Sequence, residues 1–168
     1  MNTRAIAKLG AIACVLALAL AALAGCASSA SVAATEAQQQ NRDYMSQVHL
    51  LMTDLESDLS TFVDAVSRDD LVNMRTQADN AYKKIDKLGE LEVPEAMEDI
   101  HQKYVEGTGK LREALDAYIA LYTDIQSATD SNPFDWSTYD KRMASIQALY
   151  DEGVETLQAA DEIAANKE

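Results

Sequence analysis

The sequence predicts an all-α protein built as an antiparallel up-down four-helix bundle. Three observations predict it. From about residue 41 onward, apolar residues recur at alternating intervals of three and four, the spacing of a helical stripe. The stripes are broken by short turn-forming segments. No alternating strand pattern and no glycine-rich phosphate loop occurs anywhere in the chain. Four amphipathic helices joined by short connections bury their stripes most simply against one another.

The segment ahead of the bundle reads as a secretory signal over residues 1–25. Arg4 and Lys8 with the free amine form a positive start. Leu9 to Leu23 are then almost all Ala, Leu, Ile and Val, with Gly10 and Cys14 the exceptions. That run has the length of a signal's apolar region and is too short to cross a roughly 30 Å hydrocarbon core comfortably. At its exit, Leu23-Ala24-Gly25-Cys26 resembles the lipobox of bacterial lipoproteins. The resemblance implies that the Cys26 sulfur receives a diacylglyceryl group and that a peptidase cuts between Gly25 and Cys26. It also implies that the new amino terminus is a further acylation point. Two or more acyl chains anchor stably where one is marginal, so the expected location is the extracytoplasmic face of the cell membrane, with the lipid as the membrane contact. The competing expectation is an ordinary signal cleaved after Ala24 or Ala27, which leaves a soluble product. Cys14 follows Ala11-Ile12-Ala13, lacks the lipobox leucine and leaves with the signal.

Residues 26–40 follow as a lipidated start and flexible tether, whose last residues can join the first helix. They are rich in Ala, Ser and Gln and carry too little large apolar surface to offset the entropy of ordering. The bundle is expected over residues 41–168. Its first helix runs from about Asn41 to Val66, with Met45, Val48, Met52, Leu55, Leu59, Phe62 and Val66 facing inward. A turn at Arg68-Asp69-Asp70 supplies an aspartate cap for the second helix. That helix runs from about Asp70 to Leu88 on Leu71, Met74, Ala78, Ala81, Ile85 and Leu88. Lysines crowd its last turns and Gly89 is the expected stop.

The third helix opens at Pro94, a residue suited to a first turn, with Glu95, Glu98 and Asp99 at the positive end of the helix dipole. Its stripe is the longest: Met97, His101, Tyr104, Thr108, Leu111, Leu115, Tyr118, Tyr122 and Ile125. The phase survives Gly107 and Gly109, which predicts one helix rather than two. Residues 127–137, "SATDSNPFDWS", form the one turn-rich stretch. The fourth helix starts near Trp136 or Ser137 and faces inward through Tyr139, Met143, Ile146, Tyr150, Leu157 and Ala160. The stretch "VPEAMEDIHQKYVEG" resembles the third-helix opening of uncharacterised helical-bundle lipoproteins of Gram-positive bacteria, through Pro94, His101 and Tyr104. The resemblance implies a surface-anchored bundle.

Composition narrows the function. The chain carries a formal charge of −14, and loss of residues 1–25 removes Arg4 and Lys8 but no acid, giving −16. Such a charge argues against nucleic acid and against an electrostatic grip on anionic lipid. With Cys14 removed and Cys26 alkylated, no thiol remains for a disulfide, a zinc thiolate or a nucleophile. Only two histidines occur, His49 and His101. A di-iron bundle needs Glu-x-x-His on two helices, and only Glu98 with His101 satisfies the spacing. "DSNPFD" at 130–135 lacks the glycine and distal glutamate of an EF-hand. The expected protein is therefore not an enzyme and has no metal site and no cofactor. It is a non-catalytic binding or envelope interaction module whose partner is an envelope protein or small ligand. The alternative is a small-ligand or metal-binding bundle centred on the third helix. There His101, Tyr104, Gly107 and Thr108 are the candidate pocket residues, because the glycines thin the helix surface one turn beyond a seam histidine.

Overall fold

The computed structural model describes residues 35–166. The stretch expected to be a signal, with Gly25 and Cys26 and most of the expected tether, lies outside the described residues. Four long helices follow in order: α1 (Glu36–Ser67), α2 (Leu71–Gly89), α3 (Glu98–Ser127) and α4 (Tyr139–Ala165). Short 3-10 turns at Glu95–Met97 and Trp136–Thr138 lead into α3 and α4. The helices are the expected all-α set, with small shifts at the boundaries.

α1 begins five residues ahead of the expected Asn41, inside the stretch read as tether. The cause is local. Thr35 Oγ1 accepts from the Gln38 amide at 3.3 Å, and the Gln38 side chain accepts from the Thr35 amide at 2.9 Å. This reciprocal pair satisfies two amides that a helix start leaves open, and alanine and glutamine carry the helix on from there. At the other end the chain reverses through Asp69, which takes φ of +56°, and Asp70 accepts from the Asn73 amide at 3.0 Å as the cap of α2. Gly89 is the last residue of α2, and it stops the helix without a left-handed backbone. Pro94 sits in extended backbone ahead of the 3-10 turn, so α3 proper starts at Glu98. α3 then continues through both glycines as a single helix of 30 residues, about 45 Å long at 1.5 Å per residue.

Side-chain pairs fix the up-down order. Lys84 of α2 meets Asp54 of α1 at 2.7 Å. Arg112 of α3 meets Asp86 of α2 at 2.6 Å, and Arg75 meets Thr123 at 3.0 Å, so α2 falls as α3 rises. Arg142 of α4 meets Asp124 of α3 at 2.7 Å while Lys110 meets Glu152 at 3.5 Å, again antiparallel. α1 and α3 run parallel, with Tyr44 beside His101 at one end and Phe62 edge-on to Tyr118 further along.

The core follows the expected stripes but is wider. Tyr44 is buried where the three-four spacing nominated Met45, which is only partly covered. Ile100, Ala114, Leu121 and Val154 also join the interior. Each helix of a bundle packs against more than one neighbour, so its apolar face exceeds a single stripe.

The tightest contact lies between α3 and α4. A Cβ built on Gly107 would sit 2.8 Å from Leu157 Cγ and 3.0 Å from the Gly153 carbonyl oxygen. One built on Gly153 would sit 2.9 Å from the Gly107 carbonyl oxygen. The two glycines let the backbones approach face to face. Gly109 points away, with nothing within 4 Å of its notional Cβ. Substitution by alanine should therefore split by position. Gly153→Ala forces the α3 and α4 backbones apart and should cost about 1–3 kcal/mol. Gly109→Ala should gain roughly 0.5–1 kcal/mol from helix propensity alone. Urea denaturation of the two variants checks the contrast.

Candidate functional site

The residues nominated from sequence come together near the end of the bundle where α1 starts and α4 finishes. Tyr44 hydroxyl and His101 Nδ1 are hydrogen-bonded at 3.2 Å, with their rings edge-on at 6.1 Å. Tyr104 donates a short hydrogen bond to Asp161 of α4. Thr108 is wholly buried, and its hydroxyl donates back to the Tyr104 carbonyl at 2.7 Å, so it needs no partner outside its own helix. The space beside Gly107 is filled by Leu157 and the Gly153 backbone. The thin helix surface therefore admits α4 itself, where sequence reasoning placed a ligand pocket. His101 is partly covered rather than fully buried.

Burial governs the electrostatics of this cluster. It pushes the Tyr44 hydroxyl up to about 12. It also raises Tyr104, helped by the Asp161 carboxylate, and lowers His101. Asp161 is raised by burial as well, against the opposing pull of the Tyr104 hydrogen bond and of His49. His49 itself is exposed on α1. At neutral pH His101 is an uncharged imidazole that exchanges one hydrogen bond with a phenol. That arrangement braces α1 against α3. Among the described residues, no three His, Cys, Asp or Glu side chains gather to hold a metal ion.

Sequence reasoning missed two features. The partners Tyr44 and Asp161 lie on other helices, and no spacing within α3 could have named them. The second is a concave groove of about 260 Å³ at the opposite end of the molecule, where α3 leaves and α4 begins. Asp124, Asn132, Phe134, Asp135, Thr138 and Arg142 line it. Phe134 packs edge-on against Trp136, the one tryptophan of the chain, which is 53% exposed. A smaller cavity of about 30 Å³ lies inside the bundle among Leu59, Phe62, Leu111, Leu115, Tyr118 and Ile146, room for a water molecule at most or two.

Compared with known proteins, the chain matches no family model, and no curated protein and no solved structure is significantly similar to it.

Two predictions follow from this geometry. His101 binds a proton less readily in the fold than the roughly 6.5 of an unfolded histidine, so protonation favours the unfolded chain. The stability tied to the neutral ring is present above about pH 6.5 and is lost as pH falls through the lowered folded value. Asp161, raised in the fold, acts with the opposite sign and restores stability as it protonates at lower pH. His101→Leu should change stability at pH 7 by about 1–2 kcal/mol and should remove the loss between pH 7 and 5 that wild type shows against it. Denaturant midpoints at several pH values measure this.

The tyrosine hydroxyls give the second. Tyr122 donates to Asp69 at 2.7 Å, whereas the buried hydroxyls of Tyr118 and Tyr139 have no partner. Tyr122→Phe should cost about 1 kcal/mol, and Tyr118→Phe should be neutral or stabilising. Thermal unfolding of both variants decides it.

Proposed function

We propose that this protein is a lipid-anchored, extracytoplasmic binding module without catalytic function, held at the membrane through Cys26 and engaging its partner at the far end of the bundle. The observation that carries this reading is the polarity of the molecule. The first helix starts at Glu36, close in sequence to Cys26, at the end that holds Tyr44 and His101. The concave groove and the exposed Trp136 lie at the opposite end, one helix length away. A tether at one end and a recessed, aromatic-edged surface at the other suit a module that reaches outward from a membrane.

The chemistry of the interior supports the same reading. His101, Tyr44 and Tyr104 are engaged between helices and the Thr108 hydroxyl is bonded within its own, so these groups serve the fold in this reading. No described helix is long and apolar enough to cross a membrane, so attachment falls to the lipid in this reading. A net charge of −14 keeps nucleic acid out of the partner list.

Metabolic labelling with a fatty-acid analogue tests the anchor directly. Wild type should take up label and shorten by the signal segment. Cys26→Ala should take up none and accumulate as the longer precursor. Equal label on both proteins would remove the anchor from the reading.

A further inference from the structure

Among the described residues, three seams of the bundle are closed by backbones that pack closely: α1 with α2, α2 with α3, and α3 with α4. The fourth seam, between α1 and α4, is not closed in this way. The small apolar cavity lies behind it. Leu59 and Phe62 of α1 wall it on one side and Ile146 of α4 on the other, with Leu111 and Leu115 of α3 as its floor. Leu59, Val63 and Gln147 also line it, and these three are only partly buried. A void between two helices that do not pack backbone to backbone can open sideways when they part.

One group on its wall is not accounted for by the fold. Of the described side chains lining the cavity, Tyr118 alone has a buried polar atom without a hydrogen-bond partner, its hydroxyl. The residue is 4% exposed, and Phe62 holds its ring edge-on at 5.8 Å. A phenol both donates and accepts, and leaving it unpaired in an apolar interior is costly. Water answers this poorly. A buried water needs about two to four polar partners, and the Gln147 amide on the same wall already donates to Asp151 at 2.8 Å. Apolar cavities stay dry and take apolar guests instead.

The lining also selects the guest. Closed, the cavity has about 30 Å³, roughly the share of one water molecule in the liquid, so a slender chain enters where a ring does not. Walls of leucine, isoleucine and phenylalanine reward the burial of methylene groups. The head that meets Tyr118 is uncharged. Burial raises the Tyr118 hydroxyl, and the influence of Asp69, which accepts from the Tyr122 hydroxyl at 2.7 Å, adds to it. A carboxylate or phosphate placed there meets the same burial and the same repulsion.

We infer that the seam between α1 and α4 is a binding cleft for one straight aliphatic chain with an uncharged hydroxyl or carbonyl head, which hydrogen-bonds to the Tyr118 hydroxyl. The site is independent of how the protein is anchored and of the groove between α3 and α4.

The mature chain, residues 26–168 with Cys26→Ser so that no acyl group of its own competes, is isotope-labelled and titrated without detergent. The probes are n-butanol, n-hexanol and n-octanol, with octanoate and cyclooctanol as controls. Saturable amide shifts should gather around Phe62, Leu115 and Ile146, and binding should tighten by about three- to fourfold per methylene. Octanoate and cyclooctanol should bind about tenfold more weakly than n-octanol. Tyr118→Phe should weaken n-octanol by about fivefold while its own unfolding midpoint stays level or rises, so the loss is of binding and not of fold. Ala114→Leu, which fills the cleft, should exclude the alcohols. Shifts that are absent, that scatter over the surface, or that keep full strength in Tyr118→Phe overturn the site. Equal binding of octanoate or cyclooctanol overturns it as well. Magnetisation transfer from a long-lived water to the Tyr118 ring, with no alcohol bound, also overturns it and gives the hydroxyl an internal water as its partner.

Discussion

The close crossing of α3 and α4 at Gly107 and Gly153 is the contact on which the rest of the bundle depends. Each glycine's carbonyl oxygen occupies the place a Cβ on the other would take. Neither helix can rotate or slide by a residue there without driving a side chain into backbone. That register sets Tyr104 opposite Asp161 in one direction and Arg142 opposite Asp124 in the other. The longest helix of the second half is thereby fixed against its neighbour before any polar pair is considered, since dispersion and burial at short backbone separation supply the attraction.

Polar groups then choose the details. Tyrosine hydroxyls bridge between elements: Tyr82 to Asp116, Tyr104 to Asp161, Tyr122 to Asp69, and Tyr44 with His101. A phenol packs its ring among apolar side chains and sends its hydroxyl to the edge, where a carboxylate can stay partly hydrated. Arg112 adds the converse arrangement, with its guanidinium 4.8 Å over the Tyr82 ring and donating to the Tyr82 carbonyl. Such contacts explain how a chain with twice as many acids as bases still packs tightly. Several of the acids serve as acceptors for the core's own hydroxyls, and others pair with lysine or arginine across helices.

The two ends of the bundle differ in kind. At the end where α1 starts, polar groups pair with one another and α4 closes over the glycines. At the other end a locked loop leaves a tryptophan half in water beside an open polar groove. The first arrangement is what a fold needs to seal itself. The second leaves aromatic surface in water while its inner side packs on Phe134 and the buried Tyr139.

Periodicity in the sequence determined the all-α class, the four helices, the Asp70 cap and the continuity of α3 through Gly107 and Gly109. These are local properties, set by the chain's near neighbours. Spacing within one helix could not separate Tyr44 from Met45, because which of two adjacent residues is covered depends on where the neighbouring helix lies. Thr35 and Gln38 were a readable capping pair that the low apolar content around them obscured. His101 was legible as a seam residue, but its partner was not, since Tyr44 is distant in sequence and only the parallel course of α1 and α3 brings them together. Gly107 shows the division most clearly. The sequence marked a missing side chain, which is equally a pocket or a close approach. Only the tertiary structure, by setting Gly153 and Leu157 against it, decided that the space belongs to a helix.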